Sequence, residues 1–89
     1  MIPIPPLFIK IDPTTLPNIP GVLIIGKTNG TLVAYSLLAR DCFEQHVDES
    51  NWNVWPVYFH AGKDSGEIFE NLREKYQGTS YQGAFSVPL

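Results

Sequence analysis

Two apolar segments joined by an Asn-Gly pair constrain the fold of this 89-residue chain more than any other feature. Residues 21–36 have the sequence GVLIIGKTNGTLVAYS, with Asn29-Gly30 between the two β-rich segments. Asn-Gly is the strongest short-range signal for a tight β-hairpin, because both residues adopt positive φ easily. Residues 22–25 are continuously apolar, which is typical of a strand covered on both faces. The sequence therefore predicts a hairpin at the centre of the core, with positive φ at Gly30.

The length fits a single globular domain over residues 1–89, in which the proline-rich segment 1–6 is extended. A hydrophobic content of 44% excludes general disorder. The chain lacks an apolar run of the ~20 residues that cross a membrane, and its beginning lacks the pattern of a signal peptide. The single cysteine allows no internal disulfide, so the expected location is the reducing cytoplasm.

The remaining patterns predict three more strands and two helices. Residues 7–12 alternate with Leu7, Ile9 and Ile11 on one side, and residues 54–60 alternate with Trp55, Val57 and Phe59 on one side. The helices are predicted from a Ser36 cap to about Val47, and from an Asp64–Glu67 capping box to Gly78. A weaker alternation over 81–87 is compatible with a final strand. The expected class is α+β, a mainly antiparallel sheet in the order β-β-β-α-β-α with both helices covering one face.

Acidic residues are concentrated in the second half of the chain. Residues 1–40 contain three basic side chains and one acidic, whereas residues 41–89 contain eight acidic and three basic, for a formal net charge of −3. This distribution opposes binding to a phosphate backbone, so we expect neither a nucleic-acid nor a membrane partner. It is compatible with a partner protein that has a basic surface. The alternative is a solvated acidic face that keeps a small domain soluble.

Cys42 and His46 lie four residues apart, so they share one face of the first predicted helix. A thiol beside an imidazole is typical of a nucleophilic pair or of half a zinc site. However, Cys42 belongs to the apolar stripe of that helix, where a free cysteine behaves as a small hydrophobe. Since the ligand set is incomplete, the sequence predicts no metal and no cofactor.

His60 and Asp64 flank the junction between the last long strand and the second helix. A histidine oriented by an aspartate is typical of a general base. Asp64 is also the predicted cap of that helix, and no serine or cysteine lies at a spacing that would complete a catalytic set. We therefore predict no catalytic residues.

The densest aromatic group lies beside two acidic residues. Trp52, Trp55 and Tyr58 follow Asp48 and Glu49 within eleven residues. Alternation along a strand prevents Trp55 and Tyr58 from facing the same side. These five residues are the predicted binding surface, because carboxylates steer a partner and aromatic side chains anchor it. The alternative is ordinary packing in the core.

The segment 20–25 (PGVLII), the Asn29-Gly30 turn, and then Tyr35, Arg40, His46 and Glu70 resemble the GIY-YIG nuclease module over roughly residues 20–76. The resemblance implies the order hairpin, helix, strand, helix, and a nuclease activity that uses a tyrosine and an arginine. Leu23 stands at the position of the first motif tyrosine of that family.

The sequence thus favours a small non-enzymatic protein–protein interaction module, an inhibitor or an adaptor, that acts through an acidic and aromatic surface. One alternative is a small enzyme or a degenerate GIY-YIG-like nuclease. Another is a homo-oligomeric structural protein whose apolar ends pack against a sister chain.

Overall fold

A five-stranded antiparallel sheet organises the computed structural model, which describes residues 2–76 and 83–88. Its strands are β1 (Ile9–Lys10), β2 (Gly21–Lys27), β3 (Gly30–Ser36), β4 (Val57–His60) and β5 (Ala84–Pro88). The helices are α1 (Ala39–His46) and α2 (Ser65–Tyr76), and short 3₁₀ turns occupy 13–15 and 49–51. The α+β class and the order of elements are confirmed. The final strand is also confirmed over 84–88, while Gly78 and residues 81–82 lie outside the described residues.

The predicted hairpin lies at the centre of the sheet, whose strand order is β1-β4-β2-β3-β5. β2 pairs with β3 from Gly21↔Ser36 to Lys27↔Gly30, and with β4 from Val22↔His60 to Ile25↔Val57. Residues 22–25 are each at most 1% exposed. The prediction of a central strand covered on both faces is therefore confirmed.

The hairpin reverses one residue earlier than its sequence signal indicates. Lys27 pairs with Gly30, so the two loop residues are Thr28 and Asn29. Asn29 has a negative φ, whereas Gly30 has the predicted positive value, 156°. A Cβ at Gly30 would lie 2.5 Å from the carbonyl oxygen of Val87. Glycine is required here because the backbone of β5 approaches it closely, as well as for its φ.

Apolar side chains form two cores, one on each face of the sheet. Successive residues of a strand point to opposite faces. Leu23 and Ile25 accordingly join one core with α1, whereas Val22 and Ile24 join the other with α2. We call these the α1-face core and the α2-face core. The prediction that both helices cover one face was wrong, since a strand that is apolar on both sides needs a cover on each.

Periodicity predicts a buried stripe of Leu38, Ala39, Cys42, Phe43 and Val47 on the first helix, and one of Ile68, Phe69, Leu72 and Tyr76 on the second. All of them pack against a core except Leu38, which is 49% exposed. Phe43 of α1 is 0% exposed, and Phe69 of α2 is 3% exposed. α1 begins later than expected, because Ser36 is the last residue of β3 and its hydroxyl bonds to the backbone of Leu38 instead of capping the helix. Within residues 2–76 and 83–88, neither helix has the length and apolarity that crossing a bilayer requires.

The N-terminal segment, residues 2–8, covers part of the α2-face core. Ile2 and Phe8 are 4% and 6% exposed. The predicted strand over 7–12 is reduced to Ile9–Lys10, which pair with Phe59 and Tyr58. Leu7 and Ile9 remain 58% and 63% exposed, because α1 packs over β2 and β3 rather than over this edge.

Candidate functional site

Trp52 and Trp55 border a groove between residues 10–13 and residues 52–57, which we call the tryptophan groove. Its volume is ≈ 530 Å³. The predicted strand over 54–60 begins only at Val57, since Pro56 offers no N–H to a ladder. The chain from Trp52 to Pro56 is consequently a turn outside the sheet, and this turn forms one wall of the groove.

Contacts inside the domain fix the ring of Trp52. Its Nε1–H donates to the carbonyl oxygen of Val47 at 3.3 Å. The ring lies 5.5 Å from that of Phe43, centroid to centroid, and the guanidinium carbon of Arg40 lies 5.7 Å from its centroid. Trp52 is partly buried against the α1-face core, which confirms that it packs but leaves part of its surface open.

Contacts inside the domain also fix the ring of Trp55. Its Nε1–H donates to Thr28 Oγ1 of the hairpin loop at 3.0 Å. The Nζ of Lys27 lies 5.4 Å from the ring centroid and also donates to the carbonyl oxygen of His46 at 2.9 Å. The hairpin loop, the end of α1 and the tryptophan turn therefore hold one another in place.

Val54 precedes Trp55 in this turn and lines the groove, with 65% of its surface exposed. Its N–H and that of Trp55 both donate to the carbonyl oxygen of Asn51, so the turn is closed by backbone hydrogen bonds. Lys10, Asp12 and Pro13 line the opposite wall of the groove. The Asp12 carboxylate accepts from the N–H and the hydroxyl of Thr14, and these bonds lower its pKa.

Of the five predicted binding residues, Trp52 and Trp55 line the groove, whereas Asp48 and Glu49 lie just before it in the chain. Asp48 and Glu49, which we call the acidic turn, are exposed and begin the 3₁₀ turn that carries Trp52. Tyr58 lies elsewhere. It pairs with Ile24 and packs against the α2-face core, on the other side of the sheet.

Cys42 and His46 share a face of α1, but the chemistry of the thiol is suppressed. Cys42 is partly buried against the α1-face core, and this burial raises the pKa of its thiol. Burial and the nearby charge of Lys27 lower the pKa of His46. A thiol with a raised pKa supplies little thiolate, which is the nucleophilic and metal-binding form.

His60 and Asp64 do form a pair, with His60 Nε2 2.8 Å from Asp64 Oδ1. This bond lowers the pKa of Asp64. The other ring nitrogen, Nδ1, lies 3.2 Å from the carbonyl oxygen of Leu7. Both ring nitrogens of His60 therefore have a hydrogen-bond partner within the domain.

The residues that resemble the GIY-YIG module are divided between the two faces of the sheet. The Arg40 guanidinium reaches the carbonyl oxygens of Pro13, Thr14 and Leu16 at 3.4, 3.4 and 3.2 Å. Glu70 pairs with Arg73 on α2. The sheet separates α1 from α2, so this arginine and this glutamate do not converge on one substrate position.

Among residues 2–76 and 83–88, no group of three or more His, Cys, Asp or Glu side chains is arranged to hold a metal ion. Comparison with known proteins gives no match to a family model, a curated protein or a solved structure.

Sequence patterns missed part of the groove. Val54 was assigned to a strand, although Pro56 was a signal that the strand could not extend that far back. Residues 10–13 reach the site through the sheet pairing, in which the N–H of Ile11 donates to the carbonyl oxygen of Val57 at 2.9 Å. A contact between such distant positions has no signature in local sequence.

Proposed function

We propose that this protein is a small non-enzymatic module that binds another protein, as an inhibitor or an adaptor, through the tryptophan groove and the acidic turn. The observation that carries the proposal is an apolar side chain, Val54, that is 65% exposed in a groove also lined by two tryptophans whose indole N–H groups bond within the domain. Clustered aromatic and apolar side chains of this kind supply most of the binding energy at protein interfaces.

The groove is organised before any partner arrives. Both indole N–H groups donate to acceptors of the domain, and the turn between them is closed on Asn51. Ordering side chains at an interface opposes association, and a surface that is already ordered avoids that loss. A fixed apolar wall thus favours binding to one shape of partner.

A catalytic role has less support in the chemistry of the described residues. Both nitrogens of His60 bond within the domain, and burial raises the pKa of the Cys42 thiol. Binding through Trp52, Val54 and Trp55 requires no group to gain or lose a proton. The proposal accordingly includes no cofactor, and it places the protein in the cytoplasm, where the free thiol of Cys42 would stay reduced.

The expected partner presents an apolar side chain beside a basic residue. Asp48 and Glu49 are exposed at the start of the turn that carries Trp52, so a lysine or arginine of the partner would meet negative charge there. The net charge of −3 favours encounter with a basic surface.

Affinity capture from the native host, read by mass spectrometry, tests the proposal with a matched pair of variants. Val54→Asp places a charge in the groove, and Leu37→Asp places one at a position of nearly equal exposure, 66% against 65%, outside the groove. We expect Val54→Asp to reduce capture at least tenfold, as loss of an interface anchor does, and Leu37→Asp to retain it. Equal capture by both variants would contradict the assignment of the groove.

The acidic turn is tested by Asp48→Lys/Glu49→Lys, after a check that the variant is folded. We expect weaker capture at low salt and a smaller effect at high salt, because surface charges act mainly through screened, long-range attraction. The comparison variant is His60→Gln. If His60→Gln alone abolished capture of the partner while the groove variants retained it, the catalytic alternative would replace the binding one.

Duplex DNA discriminates the nuclease-like alternative. With its acidic residues concentrated in the second half, the protein should bind duplex DNA weakly at physiological salt. An electrophoretic shift assay measures this directly. Tight binding would overturn the proposed partner class.

A further inference from the structure

The imidazole of His60 bonds to a residue that lies 53 positions away in the chain and to another that lies four positions away. Nδ1 lies 3.2 Å from the carbonyl oxygen of Leu7, at the end of the N-terminal segment. Nε2 lies 2.8 Å from Oδ1 of Asp64, at the start of α2. The ring also lies against that of Phe8, with centroids 5.6 Å apart. His60 therefore links the N-terminal segment to the junction that precedes α2.

The chemistry of the two partners determines the state of the ring. A peptide carbonyl and an ionised carboxylate accept hydrogen bonds and cannot donate them. Both ring nitrogens must then carry a hydrogen for both bonds to form, and only the protonated imidazolium has two N–H groups. The neutral ring has one, so it leaves either Leu7 or Asp64 without its bond.

The segment that this bond secures has few other backbone attachments. β1 is two residues long, and the N–H of Phe8 donates locally to the carbonyl oxygen of Pro5 at 3.0 Å. The side chains of Ile2 and Phe8 are nevertheless part of the α2-face core. Movement of this segment would expose apolar surface of the sheet and of α2.

We propose that His60 is a proton-dependent clamp on the N-terminal segment. With the ring protonated, the bonds to Leu7 and Asp64 hold residues 2–8 against the α2-face core. When the ring loses a proton, the bond to the Leu7 carbonyl is given up and the segment separates more readily from that core. Histidine side chains in general exchange a proton near neutral pH. The side chain of His60 is mostly buried, with 13% of its surface exposed to solvent.

Asp64 is the charged group that bonds to the ring among the described residues. The N-terminal segment 2–8 contains no titratable side chain, and Val22, the partner of His60 on β2, is apolar. Lys63 and Glu67 lie near Asp64 in the sequence, Tyr58 lies on β4 together with His60, and Lys10 lies on the adjoining strand β1. The hydrogen bonds of the ring thus depend on its own proton and on the carboxylate of Asp64.

Amide hydrogen exchange tests the clamp in the intact protein. The protection of the Phe8 N–H, corrected for the intrinsic effect of pH on exchange, is measured by NMR at about pH 5.5 and about pH 8.5, on either side of the usual histidine range. We expect protection to fall about three- to tenfold at the higher pH, as loss of one hydrogen bond predicts. His46→Gln, which changes the other histidine, should preserve this pH dependence, and His60→Gln should abolish it.

Equal protection at the two pH values, or a pH dependence that persists in His60→Gln, would overturn the proposal. If His60→Gln fails to fold, the ring nitrogens of the unaltered protein decide the question. Their NMR shifts report how many carry a hydrogen, and the loss of Phe8 protection must follow the titration of His60. Loss that follows His46 instead, or neither histidine, would contradict the clamp.

Discussion

The two faces of the sheet are covered by different kinds of attachment. On the α1 face, the guanidinium of Arg40 reaches three carbonyl oxygens of the loop 13–16, and Lys27 holds the end of α1 through the carbonyl of His46. On the α2 face, the N-terminal segment is held by His60, through bonds that require its proton.

The attachments on the α1 face do not depend on pH near neutrality, whereas the attachment of the N-terminal segment on the α2 face does. Arginine and lysine donate hydrogen bonds as cations over the whole physiological range, whereas histidine changes state within it. The tryptophan groove lies on the α1 side, among attachments made by these permanently charged side chains. The two faces consequently respond differently to mutation and to pH.

The largest expected effect is the loss of either central isoleucine of β2. Ile24 belongs to the α2-face core and Ile25 to the α1-face core, and each is 0% exposed. Each change to alanine should reduce the free energy of unfolding by ~2–5 kcal/mol, because it leaves a cavity. Hydrogen exchange should increase more at Phe8 in Ile24→Ala, and more at Phe43 in Ile25→Ala. A variant that melts within a degree or two of the wild type would refute the central-strand assignment.

Gly30→Val should be the next most destabilising change. A valine there would meet the carbonyl oxygen of Val87, 2.5 Å from its Cβ, at a backbone φ of 156°. Substitution at an incompatible backbone conformation costs more than ~1 kcal/mol. Asn29→Ala is the control, since Asn29 is exposed with a negative φ and should change stability by less than ~0.5 kcal/mol. Equal urea midpoints for the two variants would disagree with this description of the hairpin.

Arg40→Met tests the fixed attachment of the α1 face. The side chain bonds three carbonyl oxygens and lies over Trp52, so its loss should reduce the free energy of unfolding by about 1–2 kcal/mol. Glu44→Gln removes the exposed ion pair of Arg40, at 3.5 Å, and should change stability by less than ~1 kcal/mol. Chemical denaturation measures both. A larger loss of stability in Glu44→Gln than in Arg40→Met would indicate that Arg40 stabilises the fold mainly through its ion pair with Glu44.

The smallest expected effect is on the stability of the fold at acid pH, and it is tested at Asp64 and at Asp12. The bond from His60 lowers the pKa of Asp64, and the bonds from the N–H and hydroxyl of Thr14 lower the pKa of Asp12. Because the folded state favours the charged carboxylates, each stabilises the fold at neutral pH, and this contribution is lost as pH falls through the lowered pKa. Asp64→Asn and Asp12→Asn should each weaken the dependence of unfolding on acid pH. An unchanged acid profile in both would contradict these bonds.

Features that repeat locally were predictable from sequence. The Asn29-Gly30 pair indicated the hairpin, and helical periodicity identified Phe43 and Phe69 as core residues, because each pattern reflects contacts within a few residues. The stripe of a helix shows that one side is buried, but it does not show which face of a sheet receives it. Hence the class of fold was predicted and the placement of the helices was not.

Features that depend on distant pairing were not predictable. The alternation of residues 7–12 indicated Leu7, Ile9 and Ile11 as one side of a strand. Ile11 packs against the α1-face core, but Leu7 and Ile9 are exposed, and Phe8 enters the α2-face core instead. That outcome depends on where β4 lies, as does the bond from His60 to Leu7. In the candidate site, the two tryptophans were identifiable from the sequence as part of its densest aromatic group. The place of Val54 in the groove depends on the turn from Trp52 to Pro56 lying outside the sheet, which the alternation over 54–60 did not indicate.

Titration of the captured partner into isotope-labelled protein would locate the binding surface. NMR then reports which backbone amides change their environment on binding. We expect the amide signals that change to be concentrated in residues 48–57 and in the facing segment 10–13. These changes should be lost in Val54→Asp but not in Leu37→Asp. Shifts confined to the exposed edge at Leu7 and Ile9, or to β5, would contradict the assignment of the tryptophan groove as the binding surface.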